Sequence, residues 1–150
     1  TLISADALWE RGFGVVFPEL DGVGAFDEVA ATFDLIESLA PRVVIPGHGA
    51  VFTAVAQALQ VARQRLDGFV RSPRKHHQYA AKVLIKFKLL DAQRLTRALL
   101  LEWVGGTPYV QTLVRSCYAG MSLPDVVNAL VDELVRAGAA RCEGEWVLNL

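Results

Sequence analysis

The sequence predicts an α/β fold in its first part and a mostly helical unit in the second. Apolar residues recur at helical spacing over Phe26–Leu39, and the β-branched triplet Val43–Ile45 follows closely, an order typical of α/β proteins. Residues 78–150 contain several amphipathic stretches punctuated by glycine and proline. The charged residues are also unevenly distributed along the chain. Residues 1–50 carry two arginines against eight acidic residues, whereas residues 51–150 carry thirteen basic and eight acidic residues.

Composition limits the classes of protein to consider. With 150 residues, 53% of them hydrophobic, the chain has enough apolar surface for one domain or two small ones. The basic segment Arg71–Lys75 is the best boundary, so we expect domains at 1–72 and 73–150. Cys117 and Cys142 lack metal-type spacing, and we expect a reducing, cytoplasmic location. Polar residues, proline and glycine interrupt the longest uncharged run, which excludes a membrane span there.

The first part begins with a strand-like segment, Leu2–Ser4, that needs a partner, and residues 1–50 offer two candidates, Val43–Ile45 and Val15–Phe17. So small a sheet does not stand alone, so we expect these residues to be the C-terminal piece of a longer protein. After the helix Phe26–Leu39, Thr53 is the predicted N-cap of another helix. The apolar stripe of that helix is Val55, Leu59, Ala62, Leu66 and Phe69.

One histidine lies where a strand runs into a glycine turn, in Pro46-Gly47-His48-Gly49. Such a position suits metal binding or proton transfer, and the alternative is a hydrogen bond inside a tight loop. Asp6 follows the first strand and either ligates a metal or caps a turn. Between them, Trp9 and Phe13 belong to an aromatic, glycine-rich loop and are candidates for a pocket wall.

Residues 1–70 resemble the C-terminal half of a metallo-β-lactamase-fold hydrolase. The resemblance lies in the order of the parts, which is a strand, Asp6, a helix, a second strand and the turn Pro46–Gly49. The resemblance implies the second half of an αββα fold, in which an aspartate bridges two metal ions and a histidine of a PGHG turn binds one of them. Asp6 and His48 match these positions. The implied cofactors are two divalent ions, zinc first and iron or manganese as alternatives.

The family's HxHxDH cluster is absent from the sequence. No complete catalytic set is therefore present, and we expect this chain alone to be inactive and to hold no metal stably. The full-length protein would hydrolyse an ester, thioester or lactone of a small-molecule substrate with metal-bound hydroxide, and its partner here is the missing N-terminal half. The alternative is a non-catalytic interaction or nucleic-acid-binding module.

The second part is predicted to contain four helices and a C-terminal hairpin. The first, Tyr79–Leu90, turns its lysines outward, and Asp91 is the predicted cap of the next helix. The adjacent His76 and His77 diverge on a helix, so a solvated helix start is favoured over a shared metal. Two later helices have apolar stripes and start signals. These signals are Thr107-Pro108 and Ser122-Leu123-Pro124-Asp125.

A helix followed directly by a hairpin resembles a winged helix, whose last helix normally enters the DNA major groove. Here that helix carries three acidic residues against Arg136 on its exposed face, so we do not expect DNA binding. We expect this unit to pack on the hydrolase half, to close over its substrate channel, or to form a homodimer.

Overall fold

The computed structural model describes the whole chain, Thr1–Leu150, and shows a mixed α/β fold of seven helices and five short strands. The chain divides into two compact units, Thr1–Pro73 and Arg74–Leu150. This division lies one residue beyond the boundary expected from the basic segment. None of the helices combines the length and the apolarity that crossing a membrane requires.

A two-stranded parallel sheet forms the edge of the first unit. The elements of this unit are β1 (Leu2–Ala5), α1 (Phe17–Leu20), α2 (Phe26–Ser38), β2 (Val44–Pro46) and α3 (Val55–Arg71). Leu2 lies opposite Val44 and Ile3 opposite Ile45, so the partner is Val43–Ile45, one of the two candidates, and not Val15–Phe17. Parallel pairing brings the carboxyl ends of both strands to the same edge, so the segments after Ala5 and after Pro46 emerge side by side.

The core of this unit lies between the sheet, the loop after β1 and the helices α2 and α3. Its buried members include Leu8, Phe13, Phe33, Ile36, Val44, Leu59, Ala62, Leu66 and Phe69. All five residues of the predicted stripe on α3 are buried, as expected. The predicted cap of α3 was wrong. The N-cap is Ala54, and Thr53 contributes only its backbone carbonyl, which accepts from the Val55 N–H.

The second unit combines helices with a three-stranded antiparallel sheet. Its elements are α4 (Pro73–Ala92), β3 (Arg94–Thr96), α5 (Arg97–Gly106), α6 (Pro108–Cys117), α7 (Leu123–Arg136), β4 (Ala140–Glu143) and β5 (Trp146–Asn149). The strand order is β3-β5-β4. The predicted hairpin is therefore present, and β5 also pairs with a strand that the sequence did not predict.

In the second unit, the predicted N-cap is correct for α7 and wrong for α5. Ser122 caps α7, because its hydroxyl accepts from the Asp125 N–H. Asp91 does not cap α5. The preceding helix runs on to Ala92, β3 intervenes, and Thr96 is the cap that accepts from the Leu99 N–H.

Helix α4 differs from its prediction in two ways. First, it begins at Pro73, so only one residue separates it from α3 where a longer linker was expected. Second, His76 is only 1% exposed, whereas a solvated side chain was expected. Three of its lysines are engaged within the unit, and one of them, Lys88, pairs with Asp91 of the same helix. Lys82 pairs with Glu133, and Lys86 donates to the carbonyl oxygens of Ala139 and Leu150 and to the side chain of Asn149.

A buried thiol and a buried phenol at the end of α6 should make the stability of the second unit depend on pH in the alkaline range. Burial raises the pKa of the Cys117 thiol from 9.0 to about 11 and that of the Tyr118 phenol from 10.0 to about 12. In the unfolded chain both groups ionise at lower pH. Stability is therefore fully present below about pH 9 and is lost as the pH rises towards 12.

We predict a free energy of unfolding that falls by a few kcal/mol between pH 9 and 11. Denaturant titrations at successive pH values measure it. The Tyr118→Phe variant should show a shallower fall above pH 10 than the wild type. Equal slopes in both proteins would contradict the assignment to Tyr118.

Candidate functional site

The two residues that the sequence singled out as metal ligands lie together. Nε2 of His48 is 3.7 Å from Oδ1 of Asp6, although 42 positions separate them in the chain. Both side chains are 65% exposed, so their polar atoms are accessible from solvent. The juxtaposition follows from the parallel pairing of β1 and β2, because Asp6 directly follows one strand and His48 comes two residues after the other.

Two glycines leave the space that the Asp6 side chain occupies. A Cβ at Gly14 would lie 2.9 Å from Cβ of Asp6, and a Cβ at Gly47 would lie 3.0 Å from its Oδ1. The first of these separations is one that real Cβ atoms essentially never show, and the second is tighter than almost all real Cβ contacts. The Gly14 N–H also donates to the Asp6 carbonyl at 2.8 Å. Glycine at both positions therefore allows the backbone to close around this carboxylate.

The residue immediately before Asp6 has an uncommon backbone conformation. Ala5 has a φ of 45°, in the left-handed region that residues with a Cβ seldom adopt. Its carbonyl accepts the Gly47 N–H at 2.8 Å, which ties the end of β1 to the histidine turn. Gly49, immediately after His48, has a φ of 91°, a conformation that glycine adopts readily because it has no Cβ. Strained residues of this kind concentrate at functional sites.

Of the two aromatic residues predicted to line a pocket, only Trp9 lies beside the pair. Its ring contacts the His48 imidazole edge-on, with centroids 5.2 Å apart. Its indole N–H is 3.1 Å from the Ala5 carbonyl oxygen and 3.3 Å from Oδ1 of Asp6. Phe13 is instead a core residue, 2% exposed, with its ring 5.4 Å from that of Phe33 and 6.0 Å from that of Phe69.

The spacing of the pair fits two ligands of one divalent ion. Ligand atoms bound to a tetrahedral zinc at 2.0–2.1 Å stand about 3.3 Å apart, and the observed 3.7 Å is close to this value. Carboxylate oxygen and imidazole nitrogen are both donors that zinc, iron and manganese accept. No group of three or more His, Cys, Asp or Glu side chains in the structure could hold a metal ion. Asp6 and His48 therefore offer two donors, fewer than the three protein ligands that a catalytic zinc site generally uses.

The other two candidate histidines belong to the second unit. His76 and His77 are on α4, with their rings 6.4 Å apart and 73° from parallel. The resemblance of the sequence to a known family singled out Asp6 and His48 together, but the sequence contained no signal for the hydrogen bond from Trp9. That bond depends on the path of a loop rather than on a periodic pattern.

Comparison with known proteins adds nothing to these observations: no protein-family model matches the chain, and no curated protein is significantly similar to it.

Proposed function

We propose that Asp6 and His48 are two metal ligands of a metal-dependent hydrolase of the metallo-β-lactamase superfamily. The observation that carries the proposal is the 3.7 Å approach of Oδ1 and Nε2 at the shared carboxyl edge of two parallel strands. The two glycines packed against Asp6 and the left-handed Ala5 support it, since an ordinary turn aspartate needs neither.

The exposed face of the sheet supports the proposal of a larger domain. Ile3 and Ile45 lie opposite each other in the register, and both are exposed, Ile3 by 76%. Parallel sheets are normally covered on both faces and have more than two strands. We infer that further strands and the remaining metal ligands come from residues outside these 150.

The proposed roles of the two residues follow from their chemistry. The Asp6 carboxylate brings negative charge to the cations, and the His48 imidazole adds a neutral nitrogen donor to one of them. Bound divalent ions would lower the pKa of a coordinated water, which supplies a hydroxide nucleophile for an ester, thioester or lactone near neutral pH. Exposure of both side chains leaves room for the further ligands and for substrate.

The experiment that tests the function uses the protein as its gene encodes it. Elemental analysis should find close to two divalent ions per protein, and hydrolysis of a panel of ester, thioester and lactone substrates should stop on chelation and return with Zn²⁺. The matched variant Asp6→Asn, which keeps the shape of the side chain and removes its charge, should bind less metal. Metal-free protein, or hydrolysis that is indifferent to the chelator, would contradict the proposal.

The second unit favours a second candidate function, an interaction module that resembles a winged helix. The strand order β3-β5-β4, with the hairpin directly after α7, supports this likeness. The charges argue against DNA as the partner. On the exposed side of α7 lie Asp125, Asn128 and Asp132, and the nearby Arg97 already bonds Asn128 and pairs with Asp132. A homodimer or a packing role therefore remains the favoured alternative.

We predict that the chain does not bind duplex DNA at micromolar concentration in physiological salt, because a phosphate backbone requires several unpaired cations. A fluorescence-anisotropy titration with a labelled random-sequence duplex measures this. The double variant Asp125→Lys with Asp132→Lys is the positive comparison and should bind more tightly than the wild type at low salt. Salt-sensitive micromolar binding by the wild type would contradict the prediction.

A further inference from the structure

One aromatic side chain joins the two halves of the proposed metal site. The indole N–H of Trp9 lies between two acceptors, the Ala5 carbonyl oxygen at 3.1 Å and Oδ1 of Asp6 at 3.3 Å. Oδ1 is the same oxygen that faces Nε2 of His48. The indole ring also lies against the imidazole, with ring centroids 5.2 Å apart and ring planes 84° from parallel. Trp9 thus contacts Asp6 and His48 at once.

The Ala5 carbonyl oxygen accepts a hydrogen bond from each side of the site. It accepts the Gly47 N–H from the histidine turn and also the Trp9 indole N–H. A carbonyl oxygen has two lone pairs, so both bonds are compatible. Because Ala5 is in the left-handed region, its peptide needs support from its surroundings. Trp9 supplies part of that support.

The loop that bears Trp9 is itself well fixed. The Trp9 N–H donates to the Gly12 carbonyl at 2.7 Å, and the Ser4 hydroxyl donates to the Leu8 carbonyl at 2.6 Å. The Leu8 side chain is fully buried. A side chain on so constrained a loop can hold a partner in one orientation at little further entropic cost.

From this arrangement we propose that Trp9 is a positioning residue of the metal site, which fixes the Asp6 carboxylate with Oδ1 towards His48. The inference rests on the proposed function. Hydrogen bonds to a ligating carboxylate orient it, and loss of such a partner typically lowers metal affinity 10–100-fold. The role is a polar one, so an aromatic ring without the N–H does not fulfil it.

The test compares Trp9→Phe, which keeps an aromatic ring and removes the donor, with Trp146→Phe as the matched control in the other unit. The first readout needs no metal. Side-chain coupling constants of Asp6 should report one rotamer in the wild type and the control, and averaging between rotamers in Trp9→Phe. A single unchanged rotamer in Trp9→Phe would overturn the proposal.

The second readout is a Zn²⁺ titration of the gene-encoded protein, followed by the NMR signals of the His48 ring. We expect Trp9→Phe to require 10–100-fold more Zn²⁺ than the wild type for half-saturation, with the control unchanged. Equal Zn²⁺ affinity in wild type and Trp9→Phe would overturn the positioning role while leaving the ligands intact. A wild-type protein that shows no response at His48 would instead overturn the proposed metal site, and the positioning role with it.

Discussion

Replacing His48 by alanine should reduce metal-dependent hydrolysis by the gene-encoded protein more than about a hundredfold. The reason is that His48 supplies a nitrogen that the proposed site cannot replace, and that even partners outside the ligand set cost 10–100-fold when they are lost. The His48 side chain is 65% exposed, so its removal should leave the free energy of unfolding almost unchanged. The measurement is kcat/KM for the best substrate of the panel, together with bound metal per protein.

A second histidine offers the matched control for this variant. His77 is partly exposed on α4 and belongs to the other unit, so His77→Ala should retain both its metal and its activity. If His48→Ala kept wild-type turnover, or if the two variants lost activity equally, His48 would not be a ligand.

Replacing Phe13 by alanine should destabilise the chain by about 3–5 kcal/mol, the usual cost of removing a buried aromatic ring. Phe13 is 2% exposed and packs against Phe33 and Phe69, and the guanidinium of Arg65 lies 5.8 Å from the centre of its ring. Loss of this ring removes contacts with α2 and α3 at once. Chemical denaturation followed by circular dichroism measures the change.

A comparison with Trp9→Ala separates the two aromatic residues that the sequence had grouped together. Trp9 is only partly buried, so its loss should cost less stability than the loss of Phe13. If Phe13→Ala unfolded at the same denaturant concentration as the wild type, Phe13 would not be the core residue described here.

The sequence was sufficient only in part for the pairing that creates the candidate site. The apolar start of the chain had two candidate partners, Val43–Ile45 and Val15–Phe17, and the pattern carried no signal for the parallel direction that brings Asp6 and His48 to the same edge. The stripe on α3 was fully predictable, because all of its members are at helical spacing and face one core.

Features that depend on loop paths were beyond the sequence. Trp9 and Phe13 are four residues apart in one irregular loop, and only the folded loop shows that one contacts His48 while the other enters the core. Strand β3 has just three residues, too few for a period, and it exists because β5 offers an edge for pairing. The burial of His76 was missed for a similar reason, since the helix starts earlier than the residues around it suggested.

The most direct test of the central claim is a Zn²⁺ titration of the gene-encoded protein and of its Asp6→Asn variant, observed at the His48 imidazole by ¹⁵N NMR. Because a zinc site needs its full set of ligands, we expect the Nε2 signal of the wild type to shift with added Zn²⁺ and that of Asp6→Asn to shift far less. His77 serves as the internal reference and should not respond in parallel. A His48 signal that ignores Zn²⁺, or responds identically in both proteins, would contradict the assignment of Asp6 and His48 as a pair of metal ligands.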